Sequence, residues 1–146
     1  MEKKYILLIT TCLILFATCL YAGDLHVLEE KHVTVAFDPS LRSAAQEVAD
    51  MYPHLKADLE RHIGWDLDLI SSVLLIKDRK LFQRMAESPL TVAFAVPARN
   101  LIVIDHTRMR VRPFSLEITL KHELCHLLLH HHIRGPDFPR WLDEGV

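Results

Sequence analysis

A histidine–glutamate motif, His122-Glu123-Leu124-Cys125-His126, most constrains how this chain can fold. Two histidines four residues apart point in the same direction on a helix, because four residues nearly complete a helical turn. Imidazoles one turn apart can share a Zn²⁺ ion at metal–nitrogen distances of roughly 2.0–2.1 Å. Glu123 then lies close enough to take a proton from a water at the metal without binding the metal itself. The spacing therefore predicts a helix that carries two metal ligands and a general base.

The residues around the motif are strongly apolar. A soluble protein does not bury two imidazoles and a carboxylate in such a run unless these groups have partners. This context favours a metal site over a chance match to a short pattern. The apolar positions are Phe114, Leu116, Ile118, Leu120, Leu124, Leu127, Leu128 and Leu129.

Four side chains downstream of the motif are candidates for the third ligand: His130, His131, His132 and Glu144. His130 lies eight residues from His122, about 12 Å along the helix axis, so it cannot converge on the same ion. His132 has the spacing of a longer histidine pattern, but Leu129 stands where that pattern needs glycine for a sharp turn. His131 fits neither geometry. Glu144, arriving on a second helix, is therefore the preferred ligand.

The motif, the seventeen-residue gap and the segment Pro139-Arg-Trp-Leu-Asp-Glu-Gly145 resemble the gluzincin metallopeptidases, specifically the peptidase MA-like group. The resemblance covers residues 116–146, and the aminopeptidase N branch shares a similar Trp-Leu-x-Glu-Gly signature. That branch's Gly-x-Met-Glu-Asn motif is absent, which favours an endopeptidase over an aminopeptidase. In these families two histidines and the downstream glutamate bind zinc, while the first glutamate is the general base. The resemblance implies these roles, in that order, for His122, His126, Glu144 and Glu123.

The first 22 residues have the pattern of a secretory signal peptide. Lys3 and Lys4 supply the positive start, residues 5–20 form an apolar core, and Ala22 gives a small-residue exit. The alternatives are an uncleaved membrane anchor, although the apolar run is shorter than the roughly 20 residues that span a bilayer, and a lipid anchor at Cys19. The sequence predicts an exported protein, periplasmic or secreted, that contacts a membrane only if this segment stays attached.

Cleavage after Ala22 leaves residues 23–146, which is enough for one domain. Without Glu2, Lys3 and Lys4, the 19 acidic and 17 basic residues become 18 and 15, a net charge of −3. This slightly acidic balance argues against a nucleic-acid partner. A ligand helix that stopped at Val146 would leave its last carbonyls unpaired. We therefore expect a domain that is truncated at its C-terminus or completed by a partner.

The hydrophobic pattern predicts alternating strands and helices before the metal helix. A strand over Lys31–Phe37 should place Val33, Val35 and Phe37 on one face. Gly64 should end the helix that follows, and Pro53 should kink or interrupt it. The remaining predictions are a strand at Leu67–Ile76, a short helix at Asp78–Met85, a hairpin of Thr91–Val96 and Asn100–Asp105, a metal helix opened by Pro113, and a last helix from Arg140 or Trp141.

These elements predict an α+β domain. The resemblance implies a zincin-like arrangement, in which a small mixed sheet packs on the metal helix and a following helix brings the third ligand. It also implies that the Thr91–Asp105 hairpin forms the sheet edge that binds a substrate backbone by strand addition. A plain structural hairpin is the alternative. Cys125, about 100° from the ligand face, is expected to be a small core residue, and His130–His132 the polar end of the helix.

Three functions fit these features. The leading hypothesis is an exported zinc-dependent peptidase that acts on a peptide or protein substrate. The second is a non-catalytic zinc-binding domain that retains the peptidase fold. The third is an interaction domain in which the motif is only a polar patch.

Overall fold

Five strands form one mixed sheet in the order β1-β2-β3-β5-β4. The computed structural model describes residues 25–133. The strands are β1 (His26–Glu29), β2 (Val33–Phe37), β3 (Ser71–Ile76), β4 (Ala93–Val96) and β5 (Leu101–Asp105); the helices are α1 (Arg42–Ile63), α2 (Arg79–Met85) and α3 (Leu116–His132). The predicted α+β class is confirmed. The predicted signal segment, the last predicted helix and Glu144 lie outside the described residues.

The three central strands are parallel, and both outer strands are antiparallel to their neighbours. β2 pairs with β3 and β3 with β5 in parallel, whereas β1 pairs with β2 and β4 with β5 in the antiparallel sense. Every residue of β3 and β5 is buried, as expected where both faces of a sheet are covered. The predicted hairpin is therefore confirmed, and it places β4 at one edge.

Helices cover both faces of the sheet. The larger core packs α1 and α3 against one face, to which Val33, Val35 and Phe37 contribute as their alternation predicts. The smaller core on the other face packs Leu81 and Phe82 of α2 against alternate residues of the same strands. The His122–His126 motif therefore lies on a helix that the larger core holds against the sheet.

Residues close to each end of α1 determine where the helix begins and where it ends. The Asp38 side chain caps the turn before it by accepting from the Ser40 backbone N–H at 3.0 Å. Gly64 ends the helix in the left-handed region, at φ 80°. Pro53 lies inside a continuous helix, so the predicted interruption does not occur. Tertiary packing of the buried face, which includes Tyr52 and Leu55, outweighs the one hydrogen bond that proline removes.

Apart from shifts of one or two residues at element ends, three other details differ from the sequence prediction. β3 begins at Ser71, because the Leu67 backbone N–H donates to a Glu60 side-chain oxygen at 2.7 Å instead of joining the sheet. The metal helix begins at Leu116 after a Ser115 cap, and Pro113 lies before it. β1 has no counterpart in the prediction. Within residues 25–133, no helix has an apolar stretch sufficient to cross a bilayer.

Candidate functional site

The helix that carries the motif is buried on several sides. Its cap is Ser115, whose hydroxyl accepts from the Ile118 backbone N–H at 3.2 Å. α3 contacts α1, β4 and β5, and leucines at positions 120, 124, 127 and 128 are almost fully buried. Because these contacts fix the rotation of the helix about its axis, they also fix the direction in which the motif side chains leave it.

His122 and His126 bring their ring nitrogens together. Their Nε2 atoms lie 3.0 Å apart, and the rings are nearly perpendicular, with centroids 4.6 Å apart. Two nitrogens bound tetrahedrally to one Zn²⁺ at roughly 2.0–2.1 Å would lie about 3.3 Å apart. The pair is therefore close to the separation that a shared ion requires. The two nitrogens are also within hydrogen-bond distance of each other, and both must be unprotonated to bind a metal.

Glu123 lies beside this pair but is much less accessible. It is 6 % exposed, and it lines the same cleft as the two histidines. His122 is exposed and His126 half-buried. A buried carboxylate is costly unless other groups stabilise it, so its position at the wall of a cleft is consistent with a chemical role. The two histidines and the glutamate thus line the same cleft, as their spacing on the helix predicts.

The cleft lies between the metal helix and the edge strand and encloses about 520 Å³. His122, Glu123, His126 and His130 form the α3 wall. The opposite wall consists of β4 with the segment before it, including Met85, Glu87, Thr91 and residues 93–97. An extended segment placed in this cleft would therefore lie between the motif and a strand edge that pairs with no other strand of residues 25–133.

The structure describes three of the four candidates for the third ligand. Glu144 lies outside the described residues, so its predicted role stays a prediction. Among residues 25–133, no group of three or more His, Cys, Asp or Glu side chains is arranged to hold a metal. His132 faces another neighbour, since its Nε2–H donates to the Asp66 carbonyl at 2.6 Å and its ring stacks on Trp65. His130 lines the cleft, one helical turn beyond His126.

One structural group near the cleft has no clear signal in the sequence. Asp105, at the end of β5, is fully buried and pairs with Arg79 at 2.5 Å. The same guanidinium donates to the Pro89 carbonyl at 2.9 Å. Since Pro89 lies between the cleft residues Glu87 and Thr91, this arrangement ties the rim of the cleft to the core. In the sequence, the one signal for this pair is an aspartate that directly follows an apolar strand.

Two further side chains of the metal helix have structural roles. Lys121 pairs with Asp58 of α1 at 2.5 Å, and the hydrogen bond from Lys121 lowers the pKa of the Asp58 carboxyl. Cys125 is buried in the larger core, as predicted, and burial raises the pKa of its thiol. A high thiol pKa disfavours the reactive thiolate. Neither residue competes with the histidines as a reactive group.

Comparisons of the chain with protein-family models, with curated proteins and with solved structures found no match. The functional interpretation therefore depends on the geometry of this site and on the motif resemblance.

Proposed function

We propose that this chain is an exported zinc-dependent peptidase whose domain, residues 23–146, is zincin-like. The observation that carries the proposal is the 3.0 Å approach of the His122 and His126 Nε2 atoms beside a buried Glu123. All three side chains face a cleft whose other wall is an edge strand. A structural polar patch would not need a carboxylate and two converging imidazoles at the wall of a substrate-sized cleft.

The metal ligands in this proposal are His122, His126 and Glu144. Two imidazoles and a carboxylate are a donor set found in catalytic zinc sites, which keep a further position for water or substrate. When bound, Zn²⁺ polarises a carbonyl and lowers the pKa of water from about 15.7 to near 7. Glu144 would reach the site from the segment that follows α3.

Glu123 is the proposed general base and acid. Its carboxylate takes the proton from the attacking water and then transfers it to the leaving amine, so the same side chain serves both halves of the hydrolysis. An acid–base group of this kind typically contributes about 10²–10⁴-fold in rate. Its low exposure limits competition from bulk water for that proton.

The proposed substrate is a peptide or protein segment that lies extended along β4. Within the described residues, β4 pairs only with β5, so its outer edge offers backbone N–H and C=O groups to another strand. A strand added at the usual spacing of about 4.7–4.9 Å would run between β4 and the motif. An endopeptidase is proposed because the sequence lacks the Gly-x-Met-Glu-Asn motif of the aminopeptidase branch.

The decisive experiment combines zinc analysis with a broad peptide digest. Wild type should bind one zinc per chain and cleave peptides, whereas Glu123→Gln should retain zinc and lose at least about 10²-fold in rate. Glu117→Gln, an exposed glutamate on the same helix, is the matched control and should cleave normally. Glu144→Gln should lose zinc.

Each other outcome selects a different function. One zinc per chain without cleavage of any peptide would favour the non-catalytic zinc-binding domain. No zinc after purification in zinc-containing buffer would favour the interaction domain. An active Glu123→Gln enzyme would eliminate the mechanism itself.

A further inference from the structure

β4 lines the cleft with side chains from both of its faces. Ala93 and Ala95 belong to the larger core, on the face of the sheet that α3 covers. Phe94 and Val96 pack against the smaller core, on the face that α2 covers. All four residues line the cleft. The cleft therefore extends around the outer edge of β4, the edge that pairs with no other strand of residues 25–133.

The hydrogen-bond ladder determines which backbone groups face that outer edge. The Asp105 N–H donates to the Val92 carbonyl at 2.9 Å, and the pairing of β4 with β5 continues in this register. Hydrogen-bonded pairs alternate along an antiparallel ladder, so Phe94 bonds towards β5, whereas Ala93 and Ala95 direct their N–H and C=O groups outwards. Alternating donors and acceptors of this kind match the backbone of an extended peptide.

A peptide paired with this edge has two different surroundings along its length. Side chains that are direct neighbours on paired strands lie on the same face of the sheet. The peptide residue beside Phe94 therefore projects to the face that α2 covers. The residues on either side of it, beside the two alanines, project to the face that α3 covers, where the motif lies.

The surface on the α2 side is apolar and held in place. It consists of Met85, Phe94 and Val96, which line the cleft, and we call it the α2-side surface. Each of the three is partly buried and packs against the smaller core. The Phe94 ring contacts the fully buried Phe82, with centroids 5.6 Å apart. A surface fixed in this way loses little conformational entropy when a ligand packs on it.

The polar groups near this surface contribute little to its chemistry. Glu87 and Thr91 are the described polar residues on the strand side of the cleft. Glu87 is exposed, so its carboxylate stays solvated and adds little binding energy to a charged partner. The side chain that gains most from the α2-side surface is therefore a large apolar one.

We infer that the α2-side surface is a subsite for apolar side chains of an extended peptide, with Met85 and Phe94 as specificity-determining residues. This inference rests on the proposed peptidase function and gives it a substrate class. Since Phe94 and Val96 are two residues apart on one face of β4, the surface accommodates apolar side chains at every second peptide position. The residues between them face the motif.

Equilibrium binding tests this spacing separately from catalysis. The full chain with the Glu123→Gln substitution, loaded with zinc, is titrated with fluorescent Gly–Ser peptides that contain two leucines at a spacing of one, two or three residues. All the peptides have the same composition, so a shift in register cannot produce a difference between them. The spacing of two should bind on the order of 5-fold more tightly than the others, because it alone lets both leucines bury about half of their side chains on one face.

Two peptide results would overturn the subsite. Equal affinities at the three spacings would show that the two faces of the bound peptide are not distinguished. Tighter binding of a peptide with two lysines at a spacing of two than of its leucine counterpart would assign this side of the cleft to Glu87.

Polar variants identify the residues responsible. Met85→Gln keeps the length of the side chain and should abolish most of the advantage of the spacing of two, and Val96→Thr, which keeps the shape, should reduce it. Met51→Gln makes the same change at a partly buried position of α1 and should leave the advantage intact. Circular dichroism verifies that each variant is folded. An advantage that survives both Met85→Gln and Val96→Thr would refute the assignment.

The same peptides separate this inference from the proposed catalysis. No residue of the α2-side surface is a ligand in the proposed zinc site, so the preference should persist in an excess of chelator. Wild type that cleaves no peptide but retains the preference would refute the catalysis and support the subsite. Cleavage of all three peptides with equal affinity would support the catalysis and overturn the subsite.

Discussion

At the scale of single residues, Asp105 shows how a charged side chain can be buried when several partners compensate its charge. It is fully buried, pairs with Arg79, and also accepts from the backbone N–H and the hydroxyl of Thr107 at 3.0 and 2.6 Å. Removal of any one of these partners should destabilise the protein, because the buried carboxylate would lose part of its compensation. The pair thus joins the end of β5 to α2 and to the rim of the cleft.

Arg79→Met should therefore destabilise the protein by about 3–5 kcal/mol, because it leaves the Asp105 charge buried without its partner. Arg79→Lys should cost less, since it keeps the charge but cannot reach Asp105 and the Pro89 carbonyl with one rigid fork. Urea denaturation measures both. Arg84→Met, at an exposed position of the same helix, is the control, and an equal effect there would contradict this role for the pair.

The two histidines of the motif illustrate how much a residue pattern can predict. Their spacing alone predicts that the imidazoles share one face of a helix, and their Nε2 atoms do meet. The spacing could not predict that Glu123 would be buried while His122 is exposed, because that depends on where β4 and the core leucines lie around α3. The role of Glu144 remains a prediction, since it lies beyond the described residues.

At the scale of elements, the junction between α1 and β3 depends on a glutamate. Glu60 accepts from the Leu67 backbone N–H at 2.7 Å and pairs with Lys56 at 2.6 Å. Partial burial raises the pKa of Glu60, but the Lys56 and Leu67 hydrogen bonds outweigh burial and leave that pKa below its ordinary value. Leu67 is thereby held in the core although it lies outside the sheet.

This lowered pKa predicts the direction of a pH effect. Because the folded protein holds Glu60 ionised more strongly than the unfolded chain does, its contribution is complete above the unfolded pKa of about 4.5 and is lost as the pH falls further. Glu60→Gln should therefore lose less unfolding free energy than wild type between pH 6 and pH 3. Denaturant midpoints across this range provide the measurement. Glu47→Gln, exposed on the same helix, should follow wild type; parallel curves for Glu60→Gln would disprove the linkage.

The elements themselves were largely predictable where their signals are local. The alternation in β2 and the Gly64 helix stop each depend on residues within a few positions of one another. The start of β3 was wrong by four residues, because the Glu60 side chain takes the Leu67 N–H from seven positions away. The predicted start of α3 was wrong because Ser115 caps the helix, so that Pro113 lies before the first turn and not in it.

At the scale of the whole molecule, the sheet and its two cores support the proposed metal site and do not depend on it. The larger core joins β2, β3 and β5 to α1 and α3, and its members do not include His122, Glu123 or His126. Removal of a metal from the motif should therefore leave the fold in place. It should still lower the stability, since a ligand that binds only the folded state stabilises that state.

Zinc at about 100 times its dissociation constant should add about 2.7 kcal/mol of stability, which corresponds to a rise in Tm on the order of 10 °C for a domain of this size. Thermal unfolding with zinc and with an excess of chelator measures the difference. The far-ultraviolet circular dichroism spectrum should be the same in both conditions. Identical melting temperatures would argue against a zinc site, and an unfolded chelated protein would argue against a metal-independent core.

The sequence by itself determined the local features: a helix that brings two imidazoles and a glutamate to one side, the alternation of the strands, and the residues that cap and stop the helices. These follow from backbone periodicity and from side chains that act on their near neighbours. Only the tertiary structure decided that β4 is the edge strand opposite the motif and that Arg79 holds the cleft rim to Asp105. Each of these depends on contacts between residues far apart in the chain, and which of these contacts form depends on how the whole core packs.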